Sequence, residues 1–259
     1  MSRDSFLVIV IWGILCAIGI VVWNLAVDNP ETISYMYYFN LIQIVTSGGA
    51  SLLCYRTMMV FKPEDKTRTA WGFLSAGLLF WSIGAIVEAI YPLLYQEVHT
   101  PFPWYTDIAS LMLVLFVLMS LITFKKSVNV NIPRWGWIVS IVVLFVAFGL
   151  AFLINMKGFR DLNLLALTVT MAYITLDSIL LAMTMAIASI LVGGIISHSW
   201  GFALAGLFIF YLGDIIYIFL RNIDQPNAGG IVLYLTWPIS FGLIAIAATT
   251  AYTIYKEFE

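Results

Sequence analysis

The sequence predicts an all-α fold: a polytopic transmembrane helical bundle of about eight spans, forming a single integral membrane domain over residues 1–259. Three observations predict it. Hydrophobic residues make up 62% of the chain and charged residues 10%. Soluble domains average roughly 45–50% and about 25%, so lipid has to be the solvent for most of this surface. The apolar residues also gather into runs of the roughly 20 residues that a span requires, and turn-forming residues separate the runs.

Taken in order, the predicted spans are 5–27, 34–60, 70–95, 105–124, 135–155, 172–196, 201–221 and 231–255. The first is too long for a signal-peptide core and lacks a small-x-small cleavage site before Asp28, so it reads as a retained span. Asn29-Pro30 closes it, and Lys62-Pro63-Glu64-Asp65-Lys66 separates the second span from the third. Pro101-Phe102-Pro103 precedes the fourth, and Asn131-Ile132-Pro133 the fifth. The segment 156–171 is ambiguous: Leu162–Met171 is apolar but too short to span, which suits either a helical extension or an interfacial segment. Gln225-Pro226-Asn227-Ala228-Gly229-Gly230 separates the last two spans. No repeat of fixed period is visible. Gly48-Gly49-Ala50-Ser51 and Gly193-Gly194 are small-residue patches suited to close helix packing. Cys16 and Cys54 fall in different apolar runs and set up neither a disulfide framework nor a metal motif.

Basic residues set the orientation. With the N-terminus inside, nine of the 12 lie in cytoplasmic segments: Arg3, Arg56, Lys62, Lys66, Arg68, Lys125, Lys126, Arg134 and Lys256. Lys157, Arg160 and Arg221 lie outside. This follows the positive-inside rule and places both termini in the cytoplasm of a multi-pass cell-membrane protein. Trp23, Trp104, Trp135, Trp137, Trp200 and Trp237 fall near predicted span ends, as in an interfacial belt. With no basic stripe to neutralise phosphates, nucleic acid is not an expected partner.

An ionisable group at mid-span costs roughly 2.5–3.5 kcal/mol on insertion scales, so each one asks for a reason. Glu88, Asp107, Asp177 and Asp214 all map to the outer halves of their predicted spans, as do the amides Asn24, Asn40 and Gln43. The inner halves hold little beyond Ser and Thr. Asp107 also suits the free N–H groups of a first helical turn, and Asp214 suits an interhelical hydrogen bond. Close carboxylates in a low dielectric cannot all stay ionised, so some hold protons or share a cation. The four acids are the candidate ligands for a hard divalent ion such as calcium or magnesium. His99 and His198 map to opposite sides and cannot form one site. The last span has no lysine for a retinal Schiff base, and no interior histidine pair suits bis-histidine haem. HExxH, GxSxG and P-loop motifs are missing.

Five segments occur in a familiar order: Trp81-Ser-Ile-Gly84, Pro101-Phe-Pro-Trp-Tyr-Thr-Asp107, Tyr173-Ile-Thr-Leu-Asp177-Ser-Ile-Leu-Leu181, Gly213-Asp-Ile-Ile-Tyr217, and Trp237 followed by Ala245-Ile-Ala-Ala248. Together, over roughly residues 70–250, they resemble the multi-span sensor domains that precede PAS, diguanylate cyclase or kinase modules in prokaryotic signalling proteins. The chain departs from that pattern at Trp104-Tyr105-Thr106, and at Ala85, where an acid often follows the glycine. The resemblance implies a stand-alone sensor that signals through a separate partner.

The reading is therefore an integral membrane sensory or ligand-binding module with an acid-lined site in the outer half of the bundle. Glu88, Asp107, Asp177, Asp214, Tyr211, Tyr217, Trp237, Asn40 and Gln43 are its expected lining, for a cation, a proton or a small molecule. The rivals are an accessory subunit of a larger membrane complex and an intramembrane carboxylate-dependent lipid hydrolase. Transport ranks lower, for want of an inverted repeat.

Overall fold

The structure, a computed structural model, describes residues 3–26, 33–95, 100–191, 195–222 and 226–257. Within these ranges the side chains at 26, 33–36, 195–196, 221–222, 226–231 and 233–234 are not described. Asn29-Pro30, His99, Gly193-Gly194, Gln225 and the side chain of Arg221 thus lie outside the described residues.

Eight long helices and no strand make up the described residues: α1 (Arg3–Ala26), α2 (Ile33–Met58), α3 (Lys66–Tyr95), α4 (Tyr105–Val128), α5 (Arg134–Asn155), α6 (Leu164–Ala188), α7 (Ile195–Asn222) and α8 (Pro226–Glu257). Seven are long and apolar enough to cross a membrane. The exception is α2, whose buried face carries Asn40, Gln43, Thr46, Ser47, Ser51 and Thr57. That stripe lowers its hydropathy while pointing its polar groups into protein rather than lipid.

Local chemistry explains most boundaries. Asp65 Oδ1 accepts from the Thr67 N–H at 2.7 Å and caps the start of α3. Asn129 ends α4 with φ of 52°, a left-handed conformation that asparagine tolerates. Pro226 opens α8 at a position where its missing N–H costs nothing. The last helix therefore begins inside the segment expected to be a loop.

The sixth span needs correction. The sequence places it at 172–196, whereas α6 runs from Leu164 to Ala188, after a 3₁₀ turn at Gly158–Asp161. Asn163 Oδ1 accepts from the Ala166 N–H at 2.9 Å, so the ambiguous apolar segment is the first turns of α6. Asp177 consequently sits near mid-helix rather than in the outer part. It lies about 20 Å along α6 at 1.5 Å per residue, deeper than expected.

Six helices close a ring in the order α2, α3, α4, α6, α7, α8, each touching the next. Helix α1 lies outside it against α8 and α2, and α5 lies outside against α6 and α7. Aromatic side chains fill the ring. Trp200 stacks on Phe124 at 3.8 Å and meets Trp71 at 5.0 Å, and all three are 2% exposed or less. Trp200 and Trp237 thus belong to the interior and not to an interfacial belt, whereas Trp135 and Trp137 are exposed. The indole of Trp12 enters a slot that only glycine leaves open: a Cβ on Gly49 of α2 would come within 3.0 Å of it, and one on Gly242 of α8 within 2.7 Å.

One end of the bundle gathers the basic residues. There Arg56 pairs with Asp4 at 2.9 Å, Ser5 bonds Thr249 at 3.0 Å, and the Thr57 hydroxyl donates to the Ala248 carbonyl at 2.8 Å. This is the end predicted to face the cytoplasm.

The structure also contains a repeat that the sequence did not disclose by inspection. In α3, Gly77 and Gly84 lie two turns apart and admit α4: a Cβ on Gly77 would sit 3.1 Å from the Leu113 carbonyl oxygen and 3.1 Å from Phe116 Cβ. In α7, Gly206 and Gly213 admit α8 in the same register, 2.7 Å from the Ser240 carbonyl oxygen and 3.3 Å from Leu243 Cβ. Ala109 covers Gly84 as Thr236 covers Gly213. Exchanging the halves also maps the α2–α8 contact onto α6–α4. Four helices per half make this a parallel repeat, both copies entering from the basic end.

Candidate functional site

The four acids form two pairs at the non-basic half of the ring. Glu88 of α3 lies within electrostatic range of Asp107 of α4, and Asp177 of α6 within that of Asp214 of α7. Tyr173 of α6 connects them. Its hydroxyl donates to Asp107 Oδ1 at 2.9 Å, and it lies one turn from Asp177 on α6.

Asp107 has both of the roles its position allows. Its Oδ2 accepts from the Trp104 N–H at 2.6 Å, closing the start of α4, while Oδ1 takes the Tyr173 hydroxyl. Asp214 follows Gly213 directly. Because glycine brings α8 in close, the Trp237 indole N–H reaches Asp214 Oδ1 at 2.8 Å. Tyr211, one turn before Asp214 and 5% exposed, lies beside Ser178 and within electrostatic range of both aspartates, its hydroxyl without a hydrogen-bond partner. No lysine or arginine occurs in the described parts of these helices at this depth.

Behind Asp214 an aromatic block links the site to α2. Trp237 meets Trp81 edge-on at 4.9 Å and Phe210 at 6.0 Å, and Trp81 meets Phe210 at 5.3 Å. Trp81 then donates its indole N–H to Gln43 Oε1 at 3.0 Å. Asn40 lies one turn further along the same face of α2. It is 1% exposed, and neither amide atom has a hydrogen-bond partner.

Of the expected lining, Glu88 and Asp107 thus form one group. Asp177, Asp214, Tyr211, Trp237 and Gln43 form the second, joined to the first through Tyr173. Tyr217 is half-buried one turn beyond Asp214, and nothing ties it to either pair. Asn24 instead bonds the Ile20 carbonyl of its own helix at 2.9 Å. Among the described residues no group of three or more His, Cys, Asp or Glu is placed to hold a metal ion, because the acids come in twos. Tyr173 and Trp81 were not among the expected site residues. The signal for Tyr173 was its spacing of four from Asp177 on one helix face; for Trp81 it was only the Trp81-Ser-Ile-Gly84 segment, which says nothing of its partners on α2 and α8.

Two cavities lie beside the second group, along the seam of α5, α6 and α7. One of about 600 Å³ extends from Ser197 and His198 at the basic end to Phe208. The other, about 390 Å³, continues from Phe208 and Met185 to Tyr211 and Ile215. No acid lines either one.

No family model, no curated protein and no solved structure matches this chain. What the fold and site define by themselves is a class: an all-helical, multi-pass membrane bundle with paired, half-buried acids on a ring of six helices.

Proposed function

We propose that this is a membrane-embedded sensory module of eight spans, with both termini cytoplasmic in the cell membrane, and that its ligand is the proton. One observation carries the reading: Asp177 of α6 and Asp214 of α7 lie within electrostatic range of each other, with no lysine or arginine among the described residues of those helices at that depth. Two carboxyls so placed in a low dielectric cannot both stay ionised at little cost, so one of them is a natural seat for a proton. Packing favours so small a ligand, because Trp81, Phe210 and Trp237 fill the space behind Asp214 with one another's rings. Asp107, Tyr173 and Asp177 run inward from the outer face and supply an entry route. Gain or loss of the proton changes the attraction between α6 and α7 and so biases their packing. A separate signalling protein would read that change.

The test is infrared spectroscopy of the protein in detergent as pH steps between about 8 and about 5. A protonated-carboxyl band should appear in wild type and be lost in Asp214→Asn, which keeps the acceptor for Trp237. If the folded protein holds a proton that the unfolded chain lacks, thermal stability falls as pH rises, and Asp214→Asn flattens that slope. Calcium or magnesium should leave both profiles in place. Identical profiles in wild type and variant would end the proposal for this pair.

The repeated hairpins favour one rival, transport, since parallel repeats are common in carriers. Proton flux through reconstituted vesicles separates the two: a sensor should show none above empty vesicles.

A further inference from the structure

The two halves differ most at one seam. Helices α2 and α3 are knit along their length: Ser51 and Ser75 each donate to the other's carbonyl oxygen, at 2.8 and 2.9 Å, and Gly48 lies under Ser82. The matching pair, α6 and α7, meets over a much shorter stretch, and the two cavities occupy the gap. They share Met185 and Phe208 and therefore form one crevice.

Its polarity is graded. At the basic end it is lined by Thr184, Ser197 and His198, and beyond Phe208 by aliphatic side chains up to Tyr211. Gly136 of α5 packs against Ser189 at the end of α6, which brings Arg134 to the same end as Ser197. Residues 125–134 hold Lys125, Lys126 and Arg134 and no acid. The crevice is thus an apolar slot whose polar mouth, at Thr184, Ser197 and His198, opens at the basic end of the bundle.

Size narrows the occupant. From Ser197 to Tyr211 the slot extends about 21 Å along α7. A helix of that length, about 10 Å across, fills roughly 1,600 Å³, far more than the two cavities offer. A single hydrocarbon chain does fit: at roughly 30 Å³ for a group the size of water, the larger cavity has room for the carbons of a membrane fatty acid. The slot is longer than half the roughly 30 Å hydrocarbon core, so its occupant crosses the bilayer midplane, unlike the chains of a lipid merely surrounding the protein.

We propose that the α6–α7 crevice binds one long-chain fatty acid, with its carboxylate at Ser197, His198 and Arg134 and its methyl end against Tyr211. Tyr211 also lies within electrostatic range of Asp177 and Asp214, so occupancy bears on the packing of α6 and α7 near the two acids. The site is a property of the seam and does not depend on what those acids bind.

The experiment uses the full chain in neutral detergent with a palmitic acid analogue carrying a photoreactive diazirine near its methyl end. Labelling is expected in peptides containing Leu181, Met185, Phe208 and Tyr211, and excess oleate should compete at least tenfold better than oleyl alcohol. Gly201→Trp should cut the labelling at least tenfold with an unchanged melting temperature, because a Cβ at Gly201 meets nothing within 4 Å. Ala205→Leu, on the same lining, gives a second and smaller blockade if the tryptophan unfolds the protein. Arg134→Gln should weaken binding several-fold without moving the labelled peptides. Labelling spread over α1 and the outer face of α5, or untouched by either blocking variant, overturns the site. Equal competition by oleyl alcohol, or by lysophosphatidylcholine, overturns the fatty-acid assignment. None of these readouts depends on titrating Asp177 or Asp214, so the crevice and the proton site fail separately.

Discussion

The hairpins α3–α4 and α7–α8 share a scaffold and differ in what they bury. Each uses two glycines, two turns apart, to seat its second helix against a main-chain carbonyl. In the first hairpin the residue after the second glycine is Ala85, 6% exposed, and the neighbouring seam to α2 is closed by reciprocal serine bonds. In the second it is Asp214, held by Trp237 and within electrostatic range of Asp177, and the neighbouring seam to α6 is open. Glycine packing therefore carries the architecture in both halves, since close backbone approach maximises van der Waals contact where lipid supplies no hydrophobic force. Free volume lies beside the second hairpin alone, which also carries an aspartate where the first has Ala85; the first hairpin's own acids, Glu88 and Asp107, lie nearer its outer end. One hairpin holds the ring together, and the other has room to respond.

Giving the first hairpin the acid of the second should have the largest effect. Ala85→Asp buries a carboxyl without a matching indole, and a loss of about 3 kcal/mol is expected, read as the shift of the unfolding midpoint in mixed micelles. A similar loss for Asp214→Ala would instead mean that the site stabilises the second hairpin as much as an unmatched acid disrupts the first. The glycines come next. Gly206→Val forces a side chain against the Ser240 carbonyl and should cost about 2–3 kcal/mol, whereas Gly77→Val, with slightly more room, should cost about 1–2 kcal/mol by the same measurement. Reversal of that order would show that α3–α4 is the more tightly constrained pair.

Smaller again is Tyr173→Phe, which removes the bond to Asp107 but leaves the ring in place. About 1 kcal/mol of stability is expected to go. If Tyr173 lies on the proton route, the infrared carboxyl band of the Asp177–Asp214 pair should also appear more slowly after a pH jump. An unchanged rate would detach Tyr173 from the route. The smallest effect belongs to Gly149 in α5, where a Cβ meets nothing within 4 Å. Gly149→Ala should be neutral or stabilising by about 0.5 kcal/mol, through backbone entropy alone, in a thermal melt.

Much of the fold was legible because lipid imposes simple rules. Length, apolarity and basic flanks locate seven of the helices closely, and the sequence places Asn40 and Gln43 within the second span, while the full polar stripe of α2 is visible only in the structure. The sixth helix differs from expectation because Leu162–Met171, too short to span alone, is read apart from the apolar run that follows, although Lys157, Arg160, Asp161 and the cap Asn163 mark the boundary before it. Trp200 and Trp237 were misread as interfacial because the helices start earlier than their apolar runs, which moves both indoles one to three turns inward.

The sequence by itself determined the solvent, the helices, the basic end and the side-chain types that had to be sheltered from lipid, because each is a local property of composition and order. Only the tertiary structure decided which acid lies near which, that Tyr173 joins the pairs, and that two hairpins repeat one glycine register. Partners in a ring come from helices far apart in the chain, and the same outward list of acids would permit several pairings. Helix packing chooses among them, since where a glycine allows two backbones to close, the neighbouring side chains are brought within bonding distance.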